Sequence, residues 1–210
     1  MYTKKISSTD KEFHDTPPQF KAVDRKRFFY VESHFKQLIT QNVRGHANIV
    51  YCIVTYGYFK ATGQFFNSAI QEDVDYVAGR LKLKQSFRWE SYNTSTRNRH
   101  REMILDALGF KPFNQTTIQP LLPLIRTDAR SQKNPDKCFI SVCEWLFEHK
   151  VETPDYKTIC DTVESVYKTH MDQQIAVVKN ILSNDGAQKL DALFSKGKNT
   201  YDEMETYRIT

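Results

Sequence analysis

Glycine and proline are scarce, at seven residues each in a chain of 210. That leaves little turn chemistry for an all-β sandwich and none of the Gly-rich loops that cradle nucleotides. Cysteine is scarcer, with four residues and no pair at C-x-x-C spacing. Neither a disulfide scaffold, a zinc site nor a thioredoxin-like motif is expected from it. The most apolar stretch, 47–59, is interrupted by Asn48, Thr55 and Gly57. It falls short of the run of about 18 apolar residues that a membrane span needs, so no membrane partner is expected. Residues 1–15 lack the apolar core of a signal peptide. A reducing, cytoplasmic setting follows as the expectation. What the chain does contain, 40% hydrophobic and 26% charged residues at a mean hydropathy of -0.60, suits a soluble protein that buries one core or two small ones.

Helical periodicity organises most of the chain. A polar arm, 1–19, carries Pro17 and Pro18 and leads to a first helix around 23–33. From 46 to 61, Ile49, Val50, Ile53, Val54 and Tyr58 recur at helical spacing before Gly63 stops the helix. A helix at 71–83 places Val74, Val77, Ala78 and Leu81 on one face, with Glu72 and Asp73 in its first turn where the dipole favours acids. A short segment, 85–91, carries Phe87 and Trp89. The polar turn 92–95 then caps a helix that runs to Leu108 and ends at Gly109.

Residues 113–135 hold Pro120, Pro123 and Pro135 and read as a kinked connector between two lobes, 20–112 and 136–210. In the second lobe, 138–149 is an amphipathic helix, Thr153 and Pro154 form an N-cap and N1 pair, and a long helix runs from 155 to about 182. A last amphipathic set spans 185–194. The end, Tyr207-Arg208-Ile209-Thr210, has no breaker and reads as a cut within a longer protein. The expected fold is all-α, with two small helical lobes that contain helix-turn-helix-like units and are joined by a Pro-containing connector.

Charge is the main functional signal. Between positions 80 and 101 seven Lys or Arg face Glu90 alone, a net of +6 in a chain whose total is +5, whereas 151–210 nets -3. Thr96, Arg97, Asn98, Arg99, His100 and Arg101 open a helix that Met103, Ile104, Ala107 and Leu108 anchor in a core. A helix start of this composition suits the major groove, where Arg and Asn read purine edges and hydroxyls and free N–H groups bind phosphate. Lys82, Lys84 and Arg88 are expected as flanking phosphate anchors, and Lys157 and Thr158 as contacts from the second lobe. His100 suits a phosphate contact, a cap or the core. The same pattern fits a different class of function, a helical protein-interaction module whose basic face binds an acidic partner.

Metal chemistry finds no support. Cys138, Cys143 and His149 share one expected helix but not one face with four ligands. Asp73 and Asp75 alternate awkwardly around a helix, and Asp155, Asp161 and Glu164 read as solvated acids rather than a metal site. A tyrosine-recombinase reading of Arg97 and His100 fails because that chemistry draws its catalytic groups from separated segments around a phosphate.

The segment 97–101, followed by Ile104-Leu105-Asp106-Ala107-Leu108-Gly109-Phe110-Lys111-Pro112-Phe113, resembles the N-terminal region of the large replicative transposases of the Tn-three type. That family has there a basic, His-containing helix ending in Leu-Gly-Phe. Residues 47–66, ending Thr62-Gly63-Gln64-Phe65-Phe66, and Val151-Glu152-Thr153-Pro154-Asp155-Tyr156 agree with the same family in the same order. Gln64 stands where the family favours Arg, and Phe66 where it favours Pro. The resemblance implies the DNA-binding front end of a transposase that contacts terminal inverted repeats in double-stranded DNA, in a bacterial cytoplasm. The remainder of the transposase chain is the further partner it implies. The family's catalytic acids, which hold two metal ions, lie beyond this sequence, so the resemblance implies neither catalysis nor a cofactor here.

Overall fold

The computed structural model describes residues 14–131, 135–181 and 186. Among them the fold is all-α, with nine α-helices, one 3-10 turn (Trp89–Ser91), two isolated backbone bridges and no sheet. In chain order the helices are α1 (Ala22–Phe28), α2 (Ser33–Asn42), α3 (His46–Thr62), α4 (Gln71–Arg80), α5 (Thr94–Leu108), α6 (Gln115–Ile118), α7 (Leu122–Arg130), α8 (Pro135–Glu148) and α9 (Tyr156–Ile181). The chain divides into two compact units, Met1–Glu164 and Ser165–Thr210.

The first unit is built around α3. Residues 50–59 are buried without a gap, which is the signature of a helix surrounded on every face. Helices α1, α4 and α5 pack against it. The β-branched residues in this stretch do not divert it to strand, because burial over four turns outweighs a weak local preference. Its polar atoms are satisfied inside the core: the Thr55 hydroxyl donates to Tyr51 O at 2.8 Å, Tyr51 Oη donates to Arg88 O at 2.6 Å, and Tyr58 Oη donates to Asp73 Oδ2 at 2.7 Å. Gly63 ends the helix in the left-handed region, φ 71°, with its N–H on Phe59 O at 2.7 Å. At Gly57 the missing side chain is what allows α1 to approach, since a Cβ there would lie 2.2 Å from Phe29 Cδ1.

Several expected boundaries move. The helix expected at 23–33 is two helices: α1 stops at Phe28, and Ser33 opens α2, which buries Phe35 and Ile39. Helix α4 ends at Arg80 rather than 83, and of 85–91 only the 3-10 turn is helical. The expected connector 113–135 holds two helices. Asn114 Oδ1 caps α6 by accepting from Thr116 N–H and Thr117 N–H, and α7 buries Ile125 and Ala129 against α8. Pro123 sits in the first turn of α7, where its missing N–H has no partner to lose. Composition alone reads these prolines as linker.

The stretch 150–153 pairs with the segments that follow α3 and α5. Lys111 N–H donates to Lys150 O at 2.8 Å, Glu152 N–H to Lys111 O at 2.9 Å, and Thr153 N–H to Gly63 O at 2.8 Å. Thr153 therefore lies in a bridge with Gln64 and is not the N-cap it was expected to be. That role falls to Asp155, whose carboxylate accepts from Thr158 N–H at 3.1 Å and from the Thr158 hydroxyl at 2.7 Å. The expected arm is docked over 14–19: Asp15 Oδ1 accepts from Tyr156 N–H at 3.1 Å, and the His14 ring meets Phe139 edge-on. Residues 1–13 lie outside the described residues.

The buried apolar residues form one cluster from Phe29 to Leu105, with a further buried set that runs from Leu121 through Cys138, Val142 and Leu146 to Val163. Both belong to the first unit, whose end falls inside α9 rather than at 113–135. In the second unit the described residues are 165–181 and 186, and Met171, Ile175, Val177 and Val178 are exposed there. The expected set 185–194 and the end at 207–210 lie outside the described residues, Gly186 apart.

Candidate nucleic-acid interface

Helix α5 carries the residues on which the sequence reading rests. Asn93 Oδ1 accepts from Thr96 N–H at 2.8 Å and sets the helix start, and Gly109, φ 68°, closes it. One face of α5 holds Arg97, His100, Arg101, Ile104 and Leu108, at the spacing of a single helical stripe that faces inward. The opposite stripe is Ser95, Asn98, Arg99, Glu102 and Asp106, all exposed. Those acids in the third and fourth turns repel phosphate, so α5 suits DNA only through its first two turns.

Three of the expected contacts are engaged inside the protein. Arg97 lies over the rings of Tyr92 and Trp89 at 5.3 and 5.9 Å, and donates to Asn67 Oδ1 at 3.1 Å and Tyr92 O at 3.2 Å. His100 is 1% exposed, and its Nδ1 lies 2.6 Å from Tyr92 Oη, so the ring is a core group. Burial, with help from the Arg99 charge, pushes the His100 pKa down to about 4, which keeps the ring neutral at physiological pH. Arg101 Nε donates to Glu152 Oε1 at 2.7 Å, and its Nη2 pairs with Glu152 Oε2. That two-pronged pair ties α5 to the strand-like stretch before α9, and Glu152 Oε2 also accepts from Phe113 N–H at 3.3 Å. Arg97, His100 and Arg101 thus leave the set of groups free to meet a ligand, for one physical reason: they share the buried stripe of α5.

The others remain on the surface. Thr96 is half-buried, while Asn98, Arg99, Lys82, Lys84 and Arg88 are exposed. With Arg80 at the end of α4 they give five cations, none of them in an ion pair among the described residues. Lys82 occupies the left-handed position after α4, φ 57°, which is usually a glycine position. Arg88 lies near the start of α4, because Gln71 Nε2 donates to the neighbouring Phe87 O at 2.9 Å. Lys82 and Lys84 follow its far end, roughly 15 Å away along a helix of this length. Lys157 is exposed, whereas Thr158 is half-buried and bonded to Asp155. Burial raises the Asp155 pKa, but the Thr158 hydroxyl and N–H bonds outweigh it and hold the carboxyl below its ordinary value.

Residues 6–166 match a family described as a domain of unknown function, DUF4158. The chain belongs to that family. No curated protein matches it. The DUF4158 match ends two residues past the first compact unit, so the whole α1–α8 core and the start of α9 belong to the family domain. Within that domain no group of three His, Cys, Asp or Glu among the described residues is placed to hold a metal ion. No described helix is long and apolar enough to cross a membrane.

Sequence reasoning passes over one basic element of the DUF4158 domain. In α1, Arg25 turns inward to Asp73 and Glu72, at 2.6 and 3.0 Å, whereas Lys26 and Arg27 point to solvent. The signal was present as the run Arg25-Lys26-Arg27, three cations in a row.

Proposed function

We propose that this domain binds duplex DNA as the front end of a transposase and recognises the terminal inverted repeats of its element. The observation that carries the reading is a set of exposed cations, Arg80, Lys82 and Lys84 at the end of α4, Arg88 near its start and Arg99 on α5 beside Asn98, none of them in an ion pair among the described residues. Among the described residues their side chains have no ion pair to break before meeting phosphate. Asn98 and Arg99, at the open end of α5, are the base-reading candidates, and the loop lysines and Arg88 are phosphate anchors. DUF4158 is associated in bacteria with Tn-three-type transposases, which supports the same reading. No catalysis and no cofactor are proposed for this domain. Lys157 is kept as an outlying contact.

A protein partner, such as the remainder of the transposase, draws support from a different feature, the exposed Ile140 and Phe147 on α8. The two readings separate on mutation. Arg99→Ala and Asn98→Ala are expected to cost about 1–3 kcal/mol each on the cognate repeat and far less on a scrambled duplex, whereas Lys84→Ala weakens both alike and lowers the salt slope by about 0.9. Equal losses on both duplexes for Arg99→Ala and Asn98→Ala remove base reading from α5.

A further inference from the structure

Helix α1 presents a basic face that the DNA reading above does not use. Lys26 and Arg27 are exposed and have no carboxylate partner among the described residues. Asp24, Glu32, Glu72 and Asp73 have partners of their own. Asp24 accepts from the backbone N–H of Lys21 at 3.1 Å, Glu72 and Asp73 pair with Arg25, and Glu32 pairs with Lys60 at 3.0 Å. Arg27 lies over the Phe28 ring at 5.1 Å, which restrains a long side chain before any ligand arrives. Val23, 76% exposed, lies three and four residues before Lys26 and Arg27 on the same side of α1 and adds apolar surface of the kind that packs on deoxyribose.

The position of α1 sets what this face can reach. Arg25 fastens α1 to the start of α4, and Arg97 fastens the start of α5 to Asn67, just ahead of the same helix. Both basic elements therefore attach at the start of α4, which carries the exposed acids Glu72 and Asp75 and lies near Arg88. A duplex laid flat across all three would meet those carboxylates. Resting on the DNA-binding proposal, we infer that the outward face of α1 is a second phosphate-backbone contact for duplex DNA, separate from the α5 footprint and blind to base sequence.

The test uses the full chain with Lys26→Ala and Arg27→Ala combined. A control, Arg126→Ala with Arg130→Ala, removes two exposed cations from α7 and makes the same change in net charge. Binding is titrated against the cognate repeat and a scrambled duplex over a range of salt. Two lost phosphate contacts lower the salt slope by about 1.8 and weaken binding up to roughly 60-fold at 0.1 M salt, alike on both duplexes, with the control near wild type. If wild type binds DNA and the α1 variant keeps its slope, or if both variants lose slope equally, the α1 contact is refuted while the DNA reading stands. If wild type binds neither duplex, both readings fall. If the α1 variant loses binding to phosphatidylserine vesicles with its DNA slope unchanged, the patch serves a membrane surface and the inference is overturned.

Discussion

Replacing Arg101 by alanine separates a structural arginine from a DNA-reading one. In the fold its guanidinium makes two bonds to Glu152 and lies over the Phe65 ring at 5.7 Å. The Glu152 side chain is 9% exposed and the Arg101 side chain 35%. Breaking a buried pair by removing one partner costs about 3–5 kcal/mol, because the other charge is left without compensation. Two features reduce that figure at this site: water reaches the arginine side, and Glu152 retains the Phe113 N–H. About 2 kcal/mol is the expected loss. With a urea m-value of about 1–3 kcal/mol/M, the unfolding midpoint then falls by roughly 1 M. The assay is a double-mutant cycle in urea with Arg101→Met, Glu152→Met and both together. The double variant is expected to recover most of the loss, since neither charge is then stranded. Full stability of Arg101→Ala combined with a tenfold or larger drop in affinity for the cognate repeat would refute the assignment and return Arg101 to the interface.

Further outcomes follow from the same packing. His100 is held neutral with a pKa of about 4 against an ordinary 6.5, so the unfolded chain takes up its proton first. Stability from this group is fully present above pH 6.5 and declines by about 1.4 kcal/mol per pH unit as pH falls toward 4; a His100→Gln variant should show a flatter pH dependence of the urea midpoint, and an unchanged slope would remove His100 as its source. Gly57→Ala forces a methyl into the Phe29 ring, with contacts of 2.2 and 2.5 Å, and is expected to cost about 1–3 kcal/mol. Combining it with Phe29→Leu should return part of that loss, and failure to do so would place the strain elsewhere. Lys82→Gly relieves the left-handed backbone while deleting a cation, so thermal stability should hold or rise as DNA affinity falls; a fall in stability would show that the side chain supports the fold.

The elements that sequence reads well are those whose determinants are local. Helix α3 announces itself by four turns of apolar residues and Gly63, and α5 by Asn93 and Gly109. Helix α2 is less visible because nothing in Phe28 to Glu32 breaks a helix; the chain turns there as Phe29 buries itself beside Gly57. Helices α6 and α7 are hidden by prolines that sit at or near helix starts. At the candidate site the misreading is instructive. Arg97 and Arg101, four apart, do share a face, but extending that face by three and seven residues from Arg101 reaches Ile104 and Leu108, the core side of the helix. What periodicity cannot supply is the partner, since Asn67 lies 30 positions from Arg97 and Glu152 lies 51 from Arg101.

The central claim is tested most directly by titrating the full chain against a duplex of its element's terminal inverted repeat and a scrambled duplex of equal length, at two salt concentrations. The account predicts a preference for the repeat of about 10³-fold or more that survives the higher salt, on top of a shared electrostatic term that salt removes from both. Equal binding to the two duplexes, lost together as salt rises, would contradict it and leave the exposed cations as a nonspecific phosphate patch.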